Sequence, residues 1–286
     1  MRFIQTTGDE GWRLTPQRLE AICKDDPDRP RLLILNYPGN PDGSTYSADE
    51  LRGIADVAKT YRIVLLSDEI YGPLNHRDEH VSIAKFYPEG TIVSGGLSKW
   101  CGAGGWRLGT FAFPPSLSRV LRAMAATASE TFTATSAPIQ YAAVSAFRGS
   151  PAIDDYLRRS RQILSTLGGV CTARLRKSGA ILPEPKGGFY LFPDFSPLKA
   201  RLAARGIETG RQLAERALEE LGVAFLPGED FALTPQSLTA RLAYVDFDGA
   251  AALDAAAKET VDERFVQPHC ASVVEGVESL CAWLEG

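Results

Sequence analysis

Three short apolar runs, Leu32 to Leu35, Ile63 to Leu66 and Thr91 to Val93, mark the first third of the chain. They are nearly continuous rather than alternating, and rich in Ile, Leu and Val. That pattern predicts strands buried on both faces, as in a parallel sheet. Between the first two runs, Ser47 and Glu50 have the spacing of a capping box, and Leu51, Ile54, Val57 and Ala58 follow at helical spacing. Strand, helix and strand in this order predict a βαβ unit. Leu108 to Phe113 reads as a further strand, stopped by Pro114-Pro115. The second half changes character. Tyr156 to Ser178 is one long helical pattern, expected to link two domains. Tyr190 to Phe192 is a short strand after a Gly-Gly turn, Thr209 with Gln212 caps a helix running to about Leu221, and Arg241 to Val245 is strand-like. Ala250 to Ala257 has a helical composition, and Val273 to Leu284 is an amphipathic helix.

Composition narrows the class. The 286 residues are enough for two ordinary domains, and 44% hydrophobic with 23% charged residues is a globular balance. The net charge of -4 argues against a nucleic-acid surface, and Arg158, Arg159 and Arg161 read as a solvated helix face. The five cysteines are odd in number and contain no CxxC spacing, so neither a disulfide framework nor a zinc site is expected. The start, Met1 to Gln5, lacks the apolar core of a signal peptide, and no apolar run is long enough to span a bilayer. The expectation is a cytoplasmic protein with no membrane and no nucleic-acid partner.

Each apolar run of the first half is followed by polar residues that a simple turn does not require. Asn36-Tyr37-Pro38-Gly39-Asn40-Pro41-Asp42-Gly43 follows the first, Asp68-Glu69-Ile70-Tyr71 the second, and Ser94-Gly95-Gly96-Leu97-Ser98-Lys99 the third. Ligands of open α/β sheets bind beyond the carboxyl ends of the strands, so parallel neighbours would turn Asn40, Asp68, Tyr71 and Lys99 to one crevice. A lysine amine forms Schiff bases with carbonyl groups. A pyridine nitrogen needs an acidic partner to stay protonated, and a ring oxygen needs neutral donors such as Asn and Tyr. A phosphate needs Arg and glycine-exposed backbone, which Gly102, Gly104, Gly105 and Arg107 supply. That set of groups describes pyridoxal 5'-phosphate. Taken singly, each has a plainer reading: Asp68 as a turn residue, Asn36 and Asn40 as turn residues, Tyr71 as packing, Arg107 as a surface ion pair. Lys99 has no P-loop context, and Gly102-x-Gly104-x-x-Arg107 fails the dinucleotide pattern. His76 and His80 are four apart but lack a third metal ligand, and read as solvated loop histidines. Trp100, Trp106 and Phe111 read as packing.

The same residues resemble the fold-type-I pyridoxal-phosphate enzymes, most closely the class I/II aminotransferases. Asn36-x-Pro38-x-Asn40-Pro41-x-Gly43 resembles the family's N-P-x-N-P-T-G segment, and Asp68-x-x-Tyr71 its D-x-x-Y. Ser98-Lys99 followed by Gly105-Trp106-Arg107-Leu108-Gly109 is similar to S-K-(x)n-G-W-R-x-G, Gly188-Phe189-Tyr190 lies in a segment similar to G-x-F-Y, and Arg241-Leu242-Ala243 resembles a late strand. The resemblance implies a three-layer α/β/α large domain, incomplete at its N-terminus, over residues 1–160, and a smaller α+β domain over 161–286. It implies that Lys99 carries the cofactor as a Schiff base and moves the proton at the substrate Cα. Asp68 pairs with the ring nitrogen, Tyr71 and Asn40 serve the ring oxygen, Ser98 and Arg107 serve the phosphate, and Arg241 with Asn40 binds the substrate carboxylate. It implies a homodimer acting on an amino acid and a 2-oxo acid. Gly96 stands where many relatives have a phosphate-binding serine, and the glycine-rich turn expected upstream of Arg31 is not found, so the chain reads as N-terminally truncated. A β-lyase, an aminocyclopropane-carboxylate-synthase-like elimination, or a non-catalytic chain of the same fold remain open at this point.

Overall fold

The computed structural model describes residues 3–286; Met1 and Arg2, part of the start read above as no signal peptide, lie outside the described residues. Contacts divide the chain into two compact units. One contains Leu14–Pro38 and Thr45–Leu157; the other contains the segment ending at Arg13, Gly39–Ser44 and Arg158–Gly286.

The first unit is built on a four-stranded sheet. Helix α1 (Pro16–Lys24) opens it, with proline at its first position and the Thr15 side chain accepting from the Arg18 N–H. Strand β1 (Leu32–Asn36) leads into α2 (Ala48–Thr60), where Ser47 and Glu50 form the expected reciprocal capping box. Leu51, Ile54, Ala55 and Ala58 of α2 are buried. A fully buried Leu or Ile stabilises by roughly 1.5–3 kcal/mol, so this face rather than helix propensity holds the element. Strands β2 (Val64–Asp68), β3 (Thr91–Gly96) and β4 (Gly109–Ala112) complete the sheet in the order β1-β2-β3-β4. The first three are parallel, and β4 runs antiparallel to β3. Helices α3 (Ser118–Thr131) and α4 (Ala137–Arg148) follow.

The expectation of burial on both faces fails at β1, where Leu32 and Ile34 are 58% and 57% exposed. Among the described residues β1 pairs only with β2; Leu32 and Ile34, two apart, share one face of this edge strand, and that face is left uncovered while Leu35 on the other is buried. Trp106 and Phe111, read as packing, are also exposed, whereas Trp100 is buried.

The second unit begins its long run with α5 (Pro151–Lys177), which crosses the boundary between the units at Leu157. It continues through β5 (Tyr190–Leu191), α6 (Lys199–Ala204), α7 (Gly210–Leu221), β6 (Leu226–Pro227), β7 (Ala240–Ala243), α8 (Gly249–Ala255), α9 (Glu263–His269) and α10 (Ala271–Glu285). Its sheet has the order β5-β7-β6, antiparallel throughout, which puts Arg241 on the central strand. Thr209 and Gln212 cap α7 as expected, and Gly222 ends it in the left-handed conformation. Val273, Val274, Val277, Leu280, Cys281 and Leu284 bury one face of α10. The five cysteines are free thiols. Among the described residues no helix is long and apolar enough to cross a membrane.

Candidate active site

The parallel pairing of β1, β2 and β3 sets three strand ends side by side. Asn36 lies opposite Asp68, and Asp68 opposite Ser94. In this row the Asp68 carboxylate is the acceptor: Asn36 Nδ2 donates to it at 3.0 Å, and Ser94 Oγ and the Ile70 N–H approach it at 3.4 Å. Burial raises the Asp68 pKa, the bonds from Ile70, Ser94 and Asn36 oppose the rise, and the neighbouring Glu69 charge adds to it. Such a carboxylate is suited to holding a cation or a proton on a heterocycle.

Tyr71 is buried three residues further on, and the Lys99 amine sits 5.8 Å from the centre of its ring. Ser98 is half-buried beside Lys99. Arg107 is exposed, with a left-handed backbone (φ 53°) and its Nη1 donating to Gly104 O at 2.8 Å. The glycine at position 96 has a steric cause. A Cβ there would lie 2.6 Å from the carbonyl oxygen of Leu108 on the returning strand, so this backbone does not admit the serine of the related pattern.

The second unit gathers the remaining segments. Gly43, with φ 66°, accepts at its carbonyl from the Lys186 and Gly187 N–H groups. A Cβ on it would come within 2.9 Å of Tyr190 O and Pro185 Cβ. Only glycine lets the Asn40 turn close against the segment containing Gly188-Phe189-Tyr190. Arg241 Nη1 donates to Asn40 Oδ1 at 2.9 Å. Its guanidinium lies 4.7 Å from the Tyr190 ring centre and 5.1 Å from that of Phe231, and its Nε is buried without a partner. A guanidinium oriented by Asn40 and by two aromatic rings is suited to holding a carboxylate.

The structure therefore brings Asp68 together with Asn36 and Ser94, Lys99 with Tyr71, and Asn40 with Arg241. Asn36 escaped the sequence reading because Asn beside Pro and Gly looks like a turn residue. His80 corrects an expectation: instead of being a solvated loop histidine, its side chain is 19% exposed and its Nε2 lies 2.9 Å from Glu69 Oε2. The sequence does hold one signal, Gly72, since a Cβ at that position would sit 2.9 Å from the imidazole. A cavity of about 410 Å³ is lined in part by Glu69, His80, Ser94, Trp100 and Phe147.

A family model described as aminotransferase class I and II matches residues 1–247. The chain belongs to the class I and II aminotransferase family. An aspartate aminotransferase of Geobacillus stearothermophilus is 30% identical over 266 residues, covering 92% of this chain and 62% of the relative. An aspartate/prephenate aminotransferase of Thermus thermophilus is 30% identical over 229 residues, covering 80% of this chain and 56% of the relative. Among solved structures, the aspartate aminotransferase from Thermus thermophilus with maleate matches with a TM-score of 0.75 and 27% identity over 96% of this chain and 62% of that one. An aromatic aminotransferase from Pyrococcus horikoshii matches with a TM-score of 0.78 and 26% identity over 98% and 66%. The fold is thus that of the fold-type-I aminotransferases, and the chain spans about six tenths of the length of the first curated relatives it matches.

The cofactor of this aminotransferase family is pyridoxal 5'-phosphate. The donor set fits it: a half-buried carboxylate with a raised pKa, an amine beside a phenol, and an arginine next to a glycine-rich turn.

Proposed function

We propose that the protein to which this chain belongs moves an amino group between an amino acid and a 2-oxo acid with pyridoxal 5'-phosphate. The observation that carries this reading is the register-matched row Asn36, Asp68 and Ser94, with Lys99 following the third strand. Pyridoxal 5'-phosphate supplies a carbonyl for the substrate amine and a ring that takes up the electron pair left when the Cα proton departs. Asp68 is proposed to keep a proton on the ring nitrogen, held in place by Asn36. Lys99 is proposed to bond the cofactor and then to take and return the Cα proton. Tyr71 and Asn40 are assigned to the ring oxygen, Ser98 and Arg107 to the phosphate, and Arg241 with Asn40 to the substrate α-carboxylate. Arg241 is supported by the orientation its guanidinium takes against Asn40, Tyr190 and Phe231.

Residues 1–160 are proposed as the cofactor-binding domain and 161–286 as the small domain; the change of unit between Leu157 and Arg158 supports this boundary, while the segment ending at Arg13 and Gly39–Ser44 group with the second unit. A homodimer is proposed, supported by exposed Leu121, Met124, Phe132, Tyr141, Val144 and Phe147 on and between α3 and α4. The absence of CxxC spacing among five free cysteines supports a cytoplasmic location.

The test is an assay of the protein with an amino acid donor, with and without a 2-oxo acid acceptor. Amino transfer that requires the acceptor and falls about a thousandfold or more in Lys99→Ala supports the reading. Release of pyruvate and ammonia without an acceptor replaces it with a β-lyase.

A further inference from the structure

The carboxylate proposed to meet the ring nitrogen has one bond of ordinary length, from Asn36 at 3.0 Å, and two longer contacts of 3.4 Å. Its two neighbours in sequence are held far more firmly. Side chains alternate across a strand, so Ser67 points away from the face that Asp68 uses, and Glu69, just past the strand end, bonds to Ser67 on that side. On that side Glu69 Oε1 accepts from Ser67 Oγ at 2.8 Å and Ser82 Oγ at 2.6 Å, while His80 Nε2 lies 2.9 Å from Oε2. The Tyr37 hydroxyl accepts from the Ile83 N–H at 2.7 Å and lies 3.3 Å from Glu69 Oε1. The Glu69 N–H donates to Ser94 O at 2.9 Å, and this ties the same residue to β3. Strand β2, the segment after β1, the loop from His80 to Ser82 and the end of β3 thus all fasten on one residue.

We propose that Glu69, gripped by His80, Ser82, Ser67 and Tyr37, is the positioning residue for Asp68 and fixes the direction in which that carboxylate meets a pyridine nitrogen. The proposal rests on the pyridoxal-phosphate reading above. With residues 67 and 69 both pinned, the backbone at Asp68 cannot turn. A carboxylate with a single bond of ordinary length then keeps one orientation without being saturated by donors, and a lone pair stays available to a ligand. The Glu69 charge also lies close enough to act on Asp68 directly, since it contributes to raising the Asp68 pKa.

The test uses 4'-deoxypyridoxine 5'-phosphate, a ring with the phosphate but without the aldehyde, so that binding involves no bond to Lys99. Affinity is measured by titration calorimetry, and ring protonation by the absorbance of the bound probe. Glu69→Gln is expected to weaken binding about tenfold and to shift the bound ring toward its unprotonated band. In an Asp68→Asn background the same change is expected to cost less than about twofold, because the group it positions is gone. Ser82→Ala, which removes a single donor, is expected to weaken binding about threefold and carries the test should Glu69→Gln fail to fold. Wild-type affinity in both variants overturns the proposal, and so does a loss from Glu69→Gln that is equally large with and without Asp68. Binding to the wild-type chain that Asp68→Asn leaves unchanged, or no binding at all, removes the cofactor reading itself and the proposal with it.

Discussion

Asp42 and Glu69 are both carboxylates withdrawn from water, and the chain treats them in opposite ways. Asp42, in the turn after β1, is 5% exposed, and one of its oxygens, Oδ2, has no hydrogen-bond partner. Burial pushes its pKa up from 3.8 to about 6, and bonds from Ser44, the local backbone and the Arg13 charge reduce the rise without cancelling it. The Glu69 side chain is 10% exposed. Burial pushes its pKa up as well, but bonds from His80, Ser82 and Ser67, with the His80 charge, outweigh that and leave it lowered. The difference teaches that a deeply buried acid with one oxygen left unpartnered is easily protonated, whereas one with donors on both oxygens stays ionised. One carboxylate weakens the fold at neutral pH, and the other ties three segments together.

The sharpest way to break this comparison is Glu69→Ala. It leaves the Ser67, Ser82 and His80 donors without their acceptor in a site largely shielded from bulk water, and should destabilise the protein by about 3–5 kcal/mol in urea unfolding. A loss near 1 kcal/mol would mean the cluster is not held together by that charge. Asp42→Asn should act in the opposite sense. The folded pKa of about 6 lies above the reference value of 3.8, so the stabilising protonated form is complete below 3.8 and is lost as pH rises through 6. At pH 7 the substitution should therefore gain about 2–3 kcal/mol, with the gain fading to nothing near pH 4. A gain that persists at low pH would point to packing instead. Glu69 has the reverse slope. Its lowered pKa gives stability that is full above its reference value of 4.5 and is lost as pH falls through the folded value. Gly72→Ala sharpens the comparison from the other side, because the added methyl must displace His80 from Glu69. The expected cost is about 1–3 kcal/mol, read by thermal unfolding, and it should shrink in a His80→Ala background. Ser82→Ala removes one donor of several and should cost about 1 kcal/mol.

The elements that the pattern predicts were legible because they rest on local chemistry, whereas α1, α3, α4, α6, α9 and β6 were not anticipated. The capping boxes at Ser47 and Thr209, the periodicity of α2 and α10, and the strands at Leu32, Val64, Thr91, Gly109, Tyr190 and Ala240 lie within a residue or two of where the pattern predicts them. Other features depended on the partner across the chain. Leu32 and Ile34 look like interior strand residues and are exposed, because both point to one face of β1 and only the tertiary packing decides whether a face is covered. Gly96 looked like a missing serine, yet the reason lies in the Leu108 carbonyl of an antiparallel strand. His80 looked like a loop residue, and only the fold of residues 69–82 places it against Glu69.

By itself the amino-acid order determined the family, the kinds of reactive group and the strand ends that carry them, since all three are written in short contiguous segments. The tertiary structure alone decided which groups meet: Asn36 with Asp68, Arg241 with Asn40, and His80 with Glu69. Strand register and loop closure set those distances, and hydrogen bonds act over about 3 Å, a range that spacing along a chain does not encode.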